Sequence, residues 1–169
     1  MPTEPTTSSL EVKPKKLIFE NNEYDFDILL AIPPHIAPSV IYNSNLASEP
    51  GFIPIDRDCK TPFENIFAIG DVTTLAVTDL ISVPKAGIFA EGEGITVAKN
   101  IISEIECNDK SVLFDGKGGC FLESGRETAS IIEVDMFTNQ KPSTKLTEST
   151  SENLSKKINF EKERLSKWL

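Results

Sequence analysis

Ile28-Leu-Leu-Ala-Ile32 is an unbroken apolar run stopped by Pro33-Pro34. It falls far short of the roughly 18 residues that a membrane-spanning helix needs. A continuous run of this length, without polar alternation, suits a strand covered on both faces, as in a parallel sheet. Such a strand needs neighbours, and few candidates precede it. Asn65-Ile-Phe-Ala-Ile69 is a second run of the same kind, ended by Gly70-Asp71. An α/β fold is the expectation.

At 169 residues the chain holds about one domain's worth of sequence. Its net charge of -9 argues against a nucleic-acid binder, because phosphate neutralisation needs a concentrated basic surface. The charge is uneven: from Lys141 onward seven Lys and Arg face four Glu, so the acidity sits in the rest of the chain. Met1 to Lys16 is polar and proline-bearing, which predicts no signal peptide. Cys59, Cys107 and Cys120 lack pairwise metal spacing, and a single His, His35, gives zinc little to hold. A cytoplasmic, reduced protein without a metal is expected.

Along the chain, residues 1–15 read as a disordered lead, and Lys16–Phe19 with Tyr24–Asp27 as a hairpin turning at Asn21-Asn22. Residues 35–51 read as a loop or short helix, and Phe52–Ile55 as a short strand turned by Asp56-Arg57-Asp58. Pro84 to Ile105 reads as a helix with Pro84 in its first turn. Ile88, Phe89, Ile95, Ala98, Ile101, Ile102 and Ile105 mark its expected apolar side. Gly92 and Gly94 lower its propensity, so close packing is expected there. Gly92-Glu-Gly94 follows no strand and is rejected as a phosphate loop. Short strands are expected at Ser111–Phe114, Gly119–Glu123 and Ala129–Phe137, a low-complexity linker over 138–153, and an amphipathic helix over 154–169.

The stretch that carries chemistry is Asn65 to Asp71. A strand ending in Gly-Asp puts a carboxylate at the carboxyl edge of a sheet, where open α/β folds bind ligands. Gly70 permits a sharp turn and a close approach. An ionised Asp71 accepts only, which suits a ligand hydroxyl. Taken alone, the same residue also serves as a cap for the following segment. Cys59, Cys107 and His35 read as structural or loop residues.

Asn65-Ile-Phe-Ala-Ile-Gly-Asp-Val72 resembles the second flavin fingerprint of the two-dinucleotide-binding flavoproteins. Pro84-Lys-Ala-Gly-Ile-Phe-Ala-Glu91 is similar to the segment that follows it in sulfide:quinone oxidoreductases and type II NADH dehydrogenases. Phe114-Asp-Gly-Lys-Gly-Gly-Cys-Phe-Leu-Glu-Ser-Gly125 resembles a stretch of the sulfide:quinone reductases, with Cys120 on their carboxyl-side redox cysteine, although Phe121 replaces the usual Pro. Phe160–Leu169 is close to a terminal segment of that group.

The resemblance implies FAD as cofactor, held by Gly70, Asp71, Val72, Lys85, Ala86 and Gly87, with Asp71 on the ribityl chain. It implies that the helix start and Lys85 face the flavin edge where negative charge builds on reduction. Cys120 is then the redox thiol, for which Lys117 is the nearest cation in sequence, while a structural Cys in a strand stands as the alternative. Sulfide and a quinone follow as partners, and the Lys-rich amphipathic terminal helix suits a peripheral contact with the cytoplasmic membrane or, as the alternative, docking against another domain.

The family's Gly-x-Gly-x-x-Gly turn does not occur in the sequence. The matched motifs all belong to the carboxyl-terminal part of a longer chain. The expectation is therefore the end of a nucleotide-binding region over 16–106 and a small α+β domain over 107–137, incomplete as a standalone fold and completed by a missing amino-terminal flavoprotein half. Two alternatives stand beside it: a non-catalytic interaction or remnant module without flavin, and a type II NADH dehydrogenase-like fragment.

Overall fold

The computed structural model describes residues 11–13, 15–19, 22–48, 51–108, 110–138 and 141–169. It is a mixed α/β structure of small sheets and three helices, divided into two compact units, 1–35 and 36–169.

In the first unit, β1 (Glu11–Lys13), β2 (Lys16–Phe19) and β3 (Asn22–Asp25) form an antiparallel sheet in that order. The expected hairpin is present, but Asn22 pairs with Phe19, so it belongs to the strand rather than the turn. Lys16 Nζ meets Glu23 Oε2 at 2.8 Å. The strand at Glu11–Lys13 also falls inside the stretch expected as a disordered lead; residues 1–10 lie outside the described residues. Ile28–Ile32 is not a covered strand. No described strand pairs with it, and Ile28, Leu30 and Ile32 are 81%, 93% and 91% exposed. An apolar run becomes a central strand only where neighbours take its backbone groups on both edges.

The second unit begins with α1 (Ser39–Tyr42) and β4 (Ile53–Pro54), which runs parallel to β5 (Thr73–Thr74). That pair is the one parallel ladder among the described strands, so the parallel character expected of the chain is confined to it. Asn65–Ile69 is likewise no strand of a sheet. Phe67 bridges to Lys60, Thr61 N–H donates to Ile66 O, and Ala68 N–H donates to Cys59 O, so the run folds back locally on 59–61. A 3-10 turn at Gly70–Val72 leads into β5, followed by the β6 (Ala76–Thr78) and β7 (Ile81–Ser82) hairpin.

Helix α2 spans Gly87–Ile105, with Ala86 as its extended N-cap, so Pro84 precedes the helix rather than opening it. The helix buries Phe89, Glu93, Thr96 and Asn100, while Ile95, Ile101, Ile102 and Ile105 stay exposed. The expected apolar side is therefore largely the outer one. What draws the polar row inward is hydrogen bonding. Asn100 Nδ2 donates to Asp58 O and Val112 O, and its Oδ1 accepts Val112 N–H at 2.7 Å. Ser111–Phe114 forms no strand for the same reason: its amides go to Asn100 and, from Phe114, to Arg57 O. The close packing expected at Gly92 is present, since a Cβ there would lie 2.7 Å from Phe114 Cε2.

β8 (Lys117–Gly125), β9 (Thr128–Asp135) and β10 (Ser143–Leu146) form an antiparallel sheet in the order β10-β9-β8, leaving β8 at an edge. β10 lies inside the stretch expected to be a linker. Its Ser and Thr content misled: Thr147 Oγ1 accepts Ile131 N–H at 2.8 Å and Asn153 Nδ2–H at 3.0 Å, which fastens the segment to the sheet. Helix α3 (Ser151–Trp168) starts three residues before the expected boundary because Thr150 caps it, accepting Asn153 N–H at 3.1 Å. The core gathers Ile53, Ile55, Cys59, Leu75, Phe89, Phe114 and Met136 between α2 and the strands.

Candidate functional site

Two neighbouring surfaces carry the residues singled out from the sequence. The first is the turn after Ile69. Extended backbone at Ile69 gives way to Gly70 at φ +78°, a left-handed conformation that favours glycine. Gly70 N–H donates to Glu93 Oε2 at 2.6 Å, and Thr73 Oγ1 donates to Gly70 O at 2.8 Å. The turn is thus held at both ends, leaving the Asp71 side exposed and Val72 partly buried against the core.

Behind Asp71 lies a cleft of about 10 Å³ lined by Gly70, Thr73, Lys85, Ala86, Phe89 and Glu93 among others. That volume takes about one water. A ligand at Asp71 therefore sits over the outer surface of the turn and not within it. Lys85 is turned inward: Nζ donates to Thr73 O at 2.6 Å and lies 3.7 Å above the Phe52 ring. Burial pulls its pKa down, opposed by the Asp71 and Glu93 carboxylates. Burial pushes the Glu93 pKa up, opposed by the Gly70 amide and by Lys85.

The second surface is a groove of about 610 Å³ between the α2 start, the β8 edge and α3. Ala86, Gly87 and Ile88 form one side, Gly119, Cys120 and Phe121 the floor, and Phe160, Leu165 and Trp168 the far side. Gly118 lets β8 come this close, because a Cβ there would lie 2.7 Å from Phe89 Cε1. Phe121 and Phe160 stack obliquely with centroids 5.8 Å apart. Across the groove Arg164 pairs with Glu91, which also meets Lys167 at 3.5 Å, so α3 is clamped to α2.

The first turn of α2 has neither a side-chain cap nor an acidic residue, and a Cβ on Gly87 would meet nothing within 4 Å. Amide donors of an uncapped first turn favour negative charge. Cys120 is exposed in the groove. Lys117, three residues away along the strand, projects to the opposite face and pairs with Asp135 at 3.9 Å. The cations that do line the groove are Lys157 and Arg164 of α3, which sequence distance from Cys120 conceals.

The structure therefore brings Gly70, Asp71, Lys85 and Ala86 to the cleft, and Ala86, Gly87 and Cys120 to the groove, with Ala86 lining both. Sequence reasoning misses Glu91, which closes the Pro84–Glu91 segment, and Glu93, which lies in the Gly92-Glu-Gly94 stretch rejected as a phosphate loop. Cys59 is fully buried, its Sγ–H directed at Glu93 O, and burial pushes its pKa to about 12, which makes it a structural thiol. Cys107 is exposed just past α2, and His35 lies in an exposed loop. Among the described residues no cluster of three metal-binding side chains occurs, and no helix is long and apolar enough to cross a membrane.

No family model matches the chain. It is 29% identical over 136 residues to the mitochondrial sulfide:quinone oxidoreductase of Schizosaccharomyces pombe. The likeness points to an oxidoreductase-like origin. It covers 76% of this chain but only 28% of that protein, so the chain spans little more than a quarter of its relative's length.

Proposed function

We propose that this chain supplies the carboxyl-side part of an FAD-dependent oxidoreductase of the sulfide:quinone reductase kind. The observation that carries this reading is the meeting of Cys120 with the uncapped start of α2, at Ala86 and Gly87, in one ring-lined groove. The residues present fit the cofactor. Gly70 at positive φ presents an exposed Asp71 carboxylate, and no Cβ stands over Gly87.

FAD, when bound, supplies the electron acceptor. Asp71 would accept a hydrogen bond from a ribityl hydroxyl, and the first amides of α2 would face the negative side of the ring system. Lys85 acts from within, bracing Thr73 and adding positive charge beneath the turn rather than touching the ligand. Cys120 is the redox thiol of the groove. The walls of Ile88, Phe121, Phe160 and Trp168 suit a flat apolar acceptor such as a quinone.

The test is co-expression with the amino-terminal portion of the fission-yeast relative, which together with this chain would rebuild a complete flavoprotein. A co-purifying yellow complex is expected. Asp71→Ala should lower its flavin affinity roughly tenfold or more, the worth of a charge-assisted hydrogen bond. Colourless chains that do not associate, or unchanged flavin affinity in Asp71→Ala, would refute the reading.

A further inference from the structure

Glu93 is 3% exposed in the middle of α2, yet it has no role in the function proposed above. One of its carboxyl oxygens takes the Gly70 amide at 2.6 Å. Gly70 is the hinge of the turn, at φ +78°, and the residue after it is Asp71. A buried carboxyl is expensive to keep and needs a specific partner, and here that partner is the backbone from which Asp71 departs. The charged and titratable groups around Glu93 are Lys85 ahead of α2, Asp71 on the turn, and the Cys59 thiol, which donates to the Glu93 backbone oxygen. Lys85 is committed to Thr73 O, and the Gly70 amide donates to this carboxylate.

We propose that Glu93 is a positioning residue for Asp71, holding the Gly70 amide so that the next carboxylate leaves the turn toward the ligand, and holding it most firmly when ionised. The proposal rests on the reading of Asp71 as a cofactor-binding group. An ionised carboxylate is the stronger acceptor, so protonation of Glu93 weakens the grip on Gly70. Because burial raises the Glu93 pKa, that loosening sets in at a higher pH than it would for an exposed Glu. Asp71 would then become mobile.

The experiment needs no flavin at first. In the full chain, the Gly70 amide is followed by NMR across pH, alongside its hydrogen exchange. The wild type should show a Gly70 shift that titrates above the ordinary glutamate range. Glu93→Gln keeps an acceptor oxygen, so it should keep the amide protected while abolishing the titration. Glu93→Ala should speed Gly70 exchange roughly tenfold or more, the loss of one charge-assisted hydrogen bond. In the co-expressed complex, Glu93→Gln should retain flavin and Glu93→Ala should lose it.

A Gly70 amide indifferent to pH and to residue 93 overturns the proposal, as does a Glu93→Gln chain that exchanges as fast as Glu93→Ala. If Glu93→Ala fails to fold, the wild-type titration and Glu93→Gln still decide it. Full flavin retention in Asp71→Ala, with Gly70 still titrating, would instead sink the reading of Asp71 and leave the Glu93 contact standing.

Discussion

Gly92→Ala sets helix propensity directly against packing. Glycine in a helix interior costs about 1 kcal/mol relative to alanine, so on propensity alone the substitution stabilises α2. The structure opposes it. The new methyl would lie 2.7 Å from Phe114 Cε2 and 3.3 Å from Cδ2, and Phe114 has little room to yield. Its ring is 2% exposed and meets Phe89 and Phe137 edge-on at 6.3 and 6.5 Å. Overpacking a core in this way costs about 1–3 kcal/mol, so the net effect should be a loss of about 1 kcal/mol. Phe114→Leu removes the clashing Cε2 atom. In that background Gly92→Ala should reverse sign and stabilise by up to about 1 kcal/mol. Urea titrations of the four variants, read at constant denaturant slope, give the cycle. If Gly92→Ala stabilises equally with Phe or Leu at position 114, the steric argument is wrong.

Two other substitutions probe different forces. Asn100→Ala strands Val112 N–H and the Asp58 and Val112 carbonyls, and should cost about 3 kcal/mol in the same urea assay. Cys59 is tested by alkylation and by pH. In native chain Cys107 and Cys120 should react with iodoacetamide and Cys59 only after denaturation. The folded pKa of Cys59 is raised, so its contribution to stability is intact below the ordinary thiol value of 9.0 and is lost as pH rises from there to about 12. The lost stability should approach about 1.4 kcal/mol per pH unit in that window, and Cys59→Ala should remove this component of the slope.

The sequence made the long elements legible and left the arrangement hidden. Both long helices follow from periodicity, and the β8–β9 pair from two short apolar stretches, although the hairpin turns at Arg126-Glu127, both at positive φ, with Ser124-Gly125 inside β8. The two apolar runs read as central strands because apolarity reports the wish for cover, not its presence. Ile28–Ile32 has no described neighbour, and Asn65–Ile69 folds back on 59–61. β10 was invisible because a Ser- and Thr-rich stretch reads as linker in composition, whereas it pairs with β9 along its backbone and is fastened just beyond by Thr147 and Asn153. At the site, the positions of Gly70, Asp71, Ala86 and Cys120 could be proposed from motifs alone. That Lys85 turns inward and Lys117 away, while α3 supplies Lys157 and Arg164, depended on contacts between residues far apart in the chain.

The inverted sidedness of α2 also bears on the calorimetry of this molecule. Ile95, Ile101, Ile102 and Ile105 are already wetted in the native state, whereas three of the four side chains it buries, beside Phe89, are amide, hydroxyl and carboxyl. Unfolding the helix therefore hydrates more polar surface, which lowers heat capacity, and less apolar surface, which raises it, than unfolding a helix with its isoleucines inside. The stability curve should be correspondingly shallow, with cohesion that fades little on cooling because so little of this helix's share of it comes from water released by oil-like side chains.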